Sequence, residues 1–219
     1  MRIDMTDIRN NVFRQYAAIS TGTEDYDVTF YPEGGYLLEG TPCRTAYKVL
    51  DVSGNSIAAT LQLMDEQGNV MATRETLHSG MGVFTFTPES GKRYIVQTSN
   101  KQGVKKVFEL PPVQSSAYGI VIKDHQEDMQ ISINSALHSP HEKLLLLAHV
   151  RGKMICAQWL LSDKGDIITI AKDQYPSGIV QCLLLDKNYN VLSERLGFIP
   201  YRKAIMCKVR NDKDSYGKR

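Results

Sequence analysis

A chain of 219 residues with 42% hydrophobic and 23% charged side chains is long enough for two small domains that each bury a core, and this balance excludes a disordered or fibrous class. A net charge of +2, with Lys and Arg interleaved among Asp and Glu, lacks the basic stripe of a nucleic-acid binder. The longest apolar stretch, Leu144 to Val150, is interrupted by His149 and closed by Arg151, far short of the ~20 residues of a membrane helix.

Residues 1–26 form a lead segment. Ile8, Val12, Phe13 and Tyr16 recur near helical spacing, which predicts a short helix, and the polar stretch Ser20 to Asp25 follows. The N-terminus carries no apolar core of the kind a secretory signal needs, so the chain reads either as cytosolic or as a piece of a longer exported protein.

From Asp27 to Ile199 short apolar runs are cut by turns such as Asp51-Val-Ser-Gly-Asn55, Asp65-Glu-Gln-Gly-Asn69, Asn100-Lys-Gln-Gly103 and Asp186-Lys-Asn-Tyr-Asn190. Gly, Asn and Asp reverse a chain at low steric cost, because they tolerate positive φ or bond their own backbone. Regular spacing of such turns specifies antiparallel strands, so the predicted class is all-β. Residues 27–110 supply eight strand candidates, near 28–31, 36–38, 44–50, 58–64, 70–73, 82–87, 93–98 and 105–108. In the sixth, Phe84 and Phe86 share one face and belong to the core.

Residues 111–116 follow as a Pro-rich linker. Pro111 and Pro112 cannot join a ladder and stiffen the chain, which restricts the relative orientation of its neighbours. Residues 117–200 supply seven more candidates, near 118–122, 129–134, 143–151, 154–161, 166–171, 178–185 and 191–198. These numbers match two tandem immunoglobulin-like β-sandwiches. Alternation places Leu144, Leu146, Ala148 and Val150 inward and His149 outward, near a strand end. Residues 201–219 remain as a tail.

No catalytic, cofactor or metal residue is assigned. His138 and His141 form the one close histidine pair, but the nearest third ligands, His149 and Glu142, stand at no recognisable zinc spacing and Pro140 marks a turn. No Ser or Cys sits in a strained strand-to-helix elbow, and Ser177 reads as a turn hydroxyl. Glu33 and Glu39 flank Gly34-Gly35, yet paired carboxylates are common on any β surface, and a strand follows where a phosphate loop needs a helix. The oxygens at Asp65, Glu66 and Asn69, or at Asp163 and Asp166, are too few for calcium and read as turn chemistry. Trp159, alternating with Ala157 and Leu161, is expected in the core rather than in a sugar-stacking platform. Cys43, Cys156, Cys182 and Cys207 read as free thiols acting as small hydrophobes, with a Cys156–Cys182 bridge as the alternative.

Three stretches carry a family resemblance. Phe30-Tyr-Pro-Glu-Gly-Gly-Tyr-Leu-Leu-Glu-Gly40 with Arg44-Thr-Ala-Tyr-Lys-Val and Asp51-Val-Ser-Gly-Asn, and His78-Ser-Gly-Met-Gly-Val-Phe-Thr-Phe-Thr-Pro88, resemble one domain of large exported bacterial proteins related to the alpha-2-macroglobulins. Pro176-Ser-Gly-Ile-Val-Gln-Cys-Leu-Leu-Leu-Asp186 with Leu192-Ser-Glu-Arg-Leu-Gly-Phe198 resembles the last hairpin of the following domain, where a Glu-Arg pair closes the sandwich. Lys208-Val-Arg-Asn-Asp-Lys-Asp-Ser-Tyr-Gly-Lys-Arg219 resembles the opening of yet another such domain, which implies a piece of a longer chain. Some family members carry a thioester or a plug domain of the TonB-dependent receptor kind. The thioester Cys-Gly-Glu-Gln is absent from this sequence, and no plug-like segment is present.

The resemblance implies tandem macroglobulin-type sandwiches in a periplasmic, outer-membrane-associated or extracellular setting. The expected role is a non-enzymatic structural and interaction segment of a larger cell-envelope protein. Its expected partners are other domains of the full-length chain or a protein or peptide, with no nucleic acid and no membrane insertion by this segment. A carbohydrate-binding or adhesin module accessory to glycan uptake is the alternative, and a metal-dependent hydrolase using His138 and His141 is a third reading.

Overall fold

In the computed structural model residues 2–6, 12–16, 25–162, 165–200 and Arg210 are described. Every regular element among them is a strand, apart from the single 3-10 turns Glu33–Gly35 and Lys172–Gln174. The lead segment is not helical where it is described: β1 (Arg2–Thr6) and β2 (Val12–Tyr16) pair antiparallel, with Met5 opposite Phe13. Val12, Phe13 and Tyr16 are β-branched or aromatic, and strand propensity outweighs a helical spacing carried by four residues. Ile8 and the tail 201–209 and 211–219 lie outside the described residues.

The first repeat consists of β3 (Tyr26–Pro32), β4 (Leu37–Leu38), β5 (Cys43–Asp51), β6 (Ala59–Asp65), β7 (Val70–Glu75), β8 (Met81–Phe86), β9 (Tyr94–Asn100) and β10 (Lys105–Glu109). A three-stranded sheet β3-β5-β8 packs on a four-stranded sheet β10-β9-β6-β7. Leu61, Leu63, Val96, Tyr26, Tyr47, Phe84 and Phe86 fill the space between them, so the two phenylalanines take the core positions that alternation assigns.

The second repeat has the same order. β12 (Tyr118–Asp124), β13 (Asp128–Ser135) and β16 (Ile167–Ala171) form the three-stranded sheet, and β14 (Lys143–Val150), β15 (Lys153–Leu161), β17 (Gly178–Leu185) and β18 (Val191–Ile199) the four-stranded one. Leu144, Leu146, Ala148 and Val150 point into its core with Ile120, Met129, Ile131 and Leu184. The architecture is thus all-β, with two sandwiches around two separate cores.

Four hairpin turns share one chemistry. Asp51 Oδ1 accepts the N–H groups of Ser53 and Asn55, and Asp65 and Asp186 do the same at Gln67 and Asn69 and at Asn188 and Asn190. Asn100 accepts from Gln102 and Val104 in the same way. The fourth turn position is left-handed in all of them, and is glycine except at Tyr189, where φ is +64°.

These bonds hold the three carboxyls below the usual carboxylate range. The first cause is the Asn55 backbone at Asp51, and the side-chain amides of Asn69 and Asn190 at Asp65 and Asp186. A depressed native pKa contributes stability that is complete above the ordinary carboxylate value near pH 4 and is lost as pH falls through the lowered one. The urea midpoint is therefore expected to drop as pH falls below about 4, and the triple variant Asp51→Asn, Asp65→Asn, Asp186→Asn to flatten that slope. An unchanged slope in the triple variant would refute the assignment.

Strand pairing adds detail at the linker and at the cysteines. Residues 111–116 are no bare tether, because β11 (Val113–Gln114) pairs in parallel with β4; the prolines stay out of the ladder, but the residues after them enter it. A Cys156–Cys182 bridge is excluded by register. Ala148 lies opposite both cysteines, so β14 separates them by two strand spacings, about 9.6 Å. Cys43, Cys156 and Cys182 are free, and burial pushes the Cys182 thiol up to about 12, with nearby Cys156 adding to the rise and Arg195 opposing it. Cys207 lies outside the described residues.

Candidate interaction surfaces

Glu33, Gly34, Gly35 and Glu39, set aside as surface groups on sequence grounds, lie where the two sandwiches meet. The 3-10 turn Glu33–Gly35 carries positive φ at Gly34 (+79°) and Gly35 (+96°) and lies against β12. A Cβ on Gly34 would stand 2.7 Å from Gly119 Cα and 2.9 Å from Ile120 N, so glycine is required for space as well as for φ. Buried Ser193 ties three segments: its hydroxyl donates to Gly34 O (2.8 Å) and accepts the Ile120 N–H (3.1 Å).

Beside it, Arg195 Nη2 approaches Glu33 Oε1 at 2.7 Å, an ion pair too oblique to count as a hydrogen bond. Burial draws the Arg195 pKa below the usual arginine range, Glu33 opposes that shift and the like charge of Arg44 adds to it, yet a guanidinium stays protonated. This corrects the role that the resemblance implies for Glu194-Arg195. Neighbouring residues of a strand face opposite ways: Arg195 crosses to the first sandwich, while Glu194 accepts a hydrogen bond from Gln181 on the outer face.

The contact continues at the linker. Glu39 N–H donates to Gln114 O (3.0 Å), Leu137 N–H to Glu39 O (3.2 Å) and Thr41 Oγ1 to Ser135 O (2.9 Å). Ala136, from the second repeat, is buried in the first core. The Glu39 carboxylate is itself buried, and His138 Nδ1 lies 3.4 Å from its Oε2. His138 and His141 are not gathered with a third ligand; no group of three His, Cys, Asp or Glu able to hold a metal occurs among the described residues.

The second surface is the outer face of β15-β14-β17-β18. Register aligns Trp159, Leu145, Leu185 and Val191 in one row across it, and Ala157, Leu147, Leu183 and Glu194 in the next. Met154, His149, Gln181 and Leu196 follow, then Ile179 and Phe198. Trp159 is not a core residue: it is 46% exposed, because its row faces away from the sandwich interior, and its ring lies 6.5 Å from that of Tyr189. His149 occupies an outer row as expected but is half-buried, at a bulge in mid-face. The sequence signal for this face is the loss of alternation in Leu144–Val150 and Gly178–Leu185. In an antiparallel sheet, a near-continuous apolar run means that both faces are apolar.

Neither a family model nor a curated protein matches the chain. Among solved structures, a two-domain fibronectin type III segment of chicken tenascin aligns at 11% identity, with 81% of this chain and 98% of that one covered and a TM-score of 0.30. A tetra-tandem repeat from the extending region of a large adhesion protein aligns at 13% identity, covering 90% and 55%, with a TM-score of 0.29. Escherichia coli alpha-2-macroglobulin in its native conformation aligns at 11% identity, covering 88% of this chain and 16% of that protein, with a TM-score of 0.31. Scores this low carry no argument about what the chain does.

Proposed function

We propose that this chain is a non-enzymatic structural and interaction segment of a larger exported cell-envelope protein, in which two macroglobulin-type sandwiches, 27–110 and 117–200, act as one rigid spacer. The observation that carries this reading is the built junction. A glycine turn without room for a side chain, a serine bonded to two backbone groups, a buried ion pair and a parallel strand pair all join the repeats. An interface made this way fixes an angle, whereas domains joined by a tether alone move freely. A spacer of fixed angle presents its outer strands and loops to neighbouring domains or to a protein partner.

The carbohydrate-binding alternative has Trp159 and Tyr189 as its best aromatic pair, but their planes are inclined at 59° and share no stacking platform. The test is the distance between spin labels placed at exposed Glu66 and Lys187, one on each sandwich. A single narrow distribution is expected, and a broad or bimodal one would refute the rigid spacer.

A further inference from the structure

We propose that the outer face of β15-β14-β17-β18 is a self-association surface, on which a second copy of this chain docks face to face about a two-fold axis. At one end of that face four large apolar side chains stand open to solvent: Met154 (58% exposed), Ile179 (61%), Leu196 (58%) and Phe198 (54%). Contiguous exposure of this kind marks an interaction site, whereas scattered single residues do not.

The fold itself does not call for it, and the first repeat is the internal control. In its equivalent sheet β10-β9-β6-β7 the central outer positions are Thr60, Gln62, Gln97 and Ser99, the polar-out pattern of a sheet that faces water. The same architecture thus carries a wetted outer face in one copy and an apolar one in the other.

Charge and size select the occupant. Glu194 is the one formal charge in the rows described above, and its carboxylate already accepts a hydrogen bond from Gln181 at 2.7 Å; exposed Lys143 lies one row beyond Trp159, at the end away from Met154, Ile179, Leu196 and Phe198, so the open apolar end offers no charge to match against a charged partner. What complements it is another apolar sheet face, and the chain itself supplies one. Four strands about 4.8 Å apart and eight residues long at about 3.3 Å each give a face of about 500 Å² in projection. Two such faces bury about 1,000 Å² in projection, and more as accessible surface, which reaches the lower range of specific interfaces. Stacked sheets about 10 Å apart, with side chains interdigitated, form the same packing that holds each sandwich together.

Tyr189 fits this reading from an independent direction. The corresponding positions of the sibling turns are Gly54, Gly68 and Gly103, yet here a tyrosine is held in the left-handed region, with its ring near Trp159 beside the apolar rows. A strained residue retained at the rim of such a face points to a surface shaped for contact.

The experiment is sedimentation equilibrium of the whole 219-residue chain from about 1 to about 200 µM, expected to show a monomer–dimer equilibrium with a micromolar midpoint. The double variant Ile179→Lys, Leu196→Lys should weaken dimerisation by about 100-fold. The control pair Gln62→Lys, Gln97→Lys, on the first repeat, should leave it unchanged. Far-ultraviolet circular dichroism and the urea midpoint check that each variant folds, and Phe198→Ser supplies a milder change should the lysine pair fail to fold. A monomer throughout the range, or a dimer that the face variants leave intact or that the control pair abolishes, would overturn the proposal. With labelled chain diluted into an excess of unlabelled chain, the label distance reads the junction alone, so failure here leaves the rigid spacer standing.

Discussion

Gly34→Val is expected to destabilise the protein by about 2–5 kcal/mol and to uncouple the two sandwiches. A β-branched residue in the left-handed region costs about 1–2 kcal/mol, and forcing bulk into a closed contact adds about 1–3 kcal/mol. The obstructing atoms, Gly119 Cα and Ile120 N, are backbone of β12, so no side chain can swing aside. Relief requires the Glu33–Gly35 turn to lift from β12, which also breaks the Ser193 bond to Gly34 O. Urea denaturation should show one transition splitting into two, and the distance distribution between labels on the two sandwiches should broaden. Gly35→Val meets nothing within 4 Å and shares the positive φ, so it isolates the backbone cost. If both valine variants behaved alike, the close approach at Gly34 would be without consequence.

Arg195→Met should cost about 2–4 kcal/mol, because it leaves Glu33, whose side chain is only 10% exposed, without its cation. Arg195 keeps 26% of its side-chain exposure, which places the loss below that of a fully buried pair. The double variant Glu33→Met, Arg195→Met should recover most of the loss, since two apolar side chains of similar length replace both charges and leave nothing unpaired. A double-mutant cycle by urea denaturation measures the coupling; a coupling near zero would show that the pair is incidental to the junction. Salt should barely change the result, because a pair this buried is little screened.

Strand positions, the two cores and the turns were legible because each depends on short-range pattern. Phe84 and Phe86 alternate with polar neighbours, and Asp65 caps its own turn through Gln67 and Asn69, only two and four residues on. Trp159 shows where such patterns stop: alternation says which residues share a face, not which face is covered. That depends on what packs against the sheet, and the Trp159 row of β15 turned out to be the solvent side. The lead segment failed for a related reason, since Val12, Phe13 and Tyr16 fit a hairpin as well once a partner strand is available.

What the chain determines by itself is therefore its class, its strand positions and the chemistry of its turns, all written within about ten residues of one another. The junction could only be decided in three dimensions. Ser193 meets Gly34 across 159 positions of sequence, and Arg195 meets Glu33 beside it. Nothing in the local environment of a serine, an arginine or two glycines announces so distant a partner. The same holds for the outer face of β15-β14-β17-β18: the runs Leu144–Val150 and Gly178–Leu185 are apolar in sequence, but only the register that stacks them side by side turns two runs into one surface.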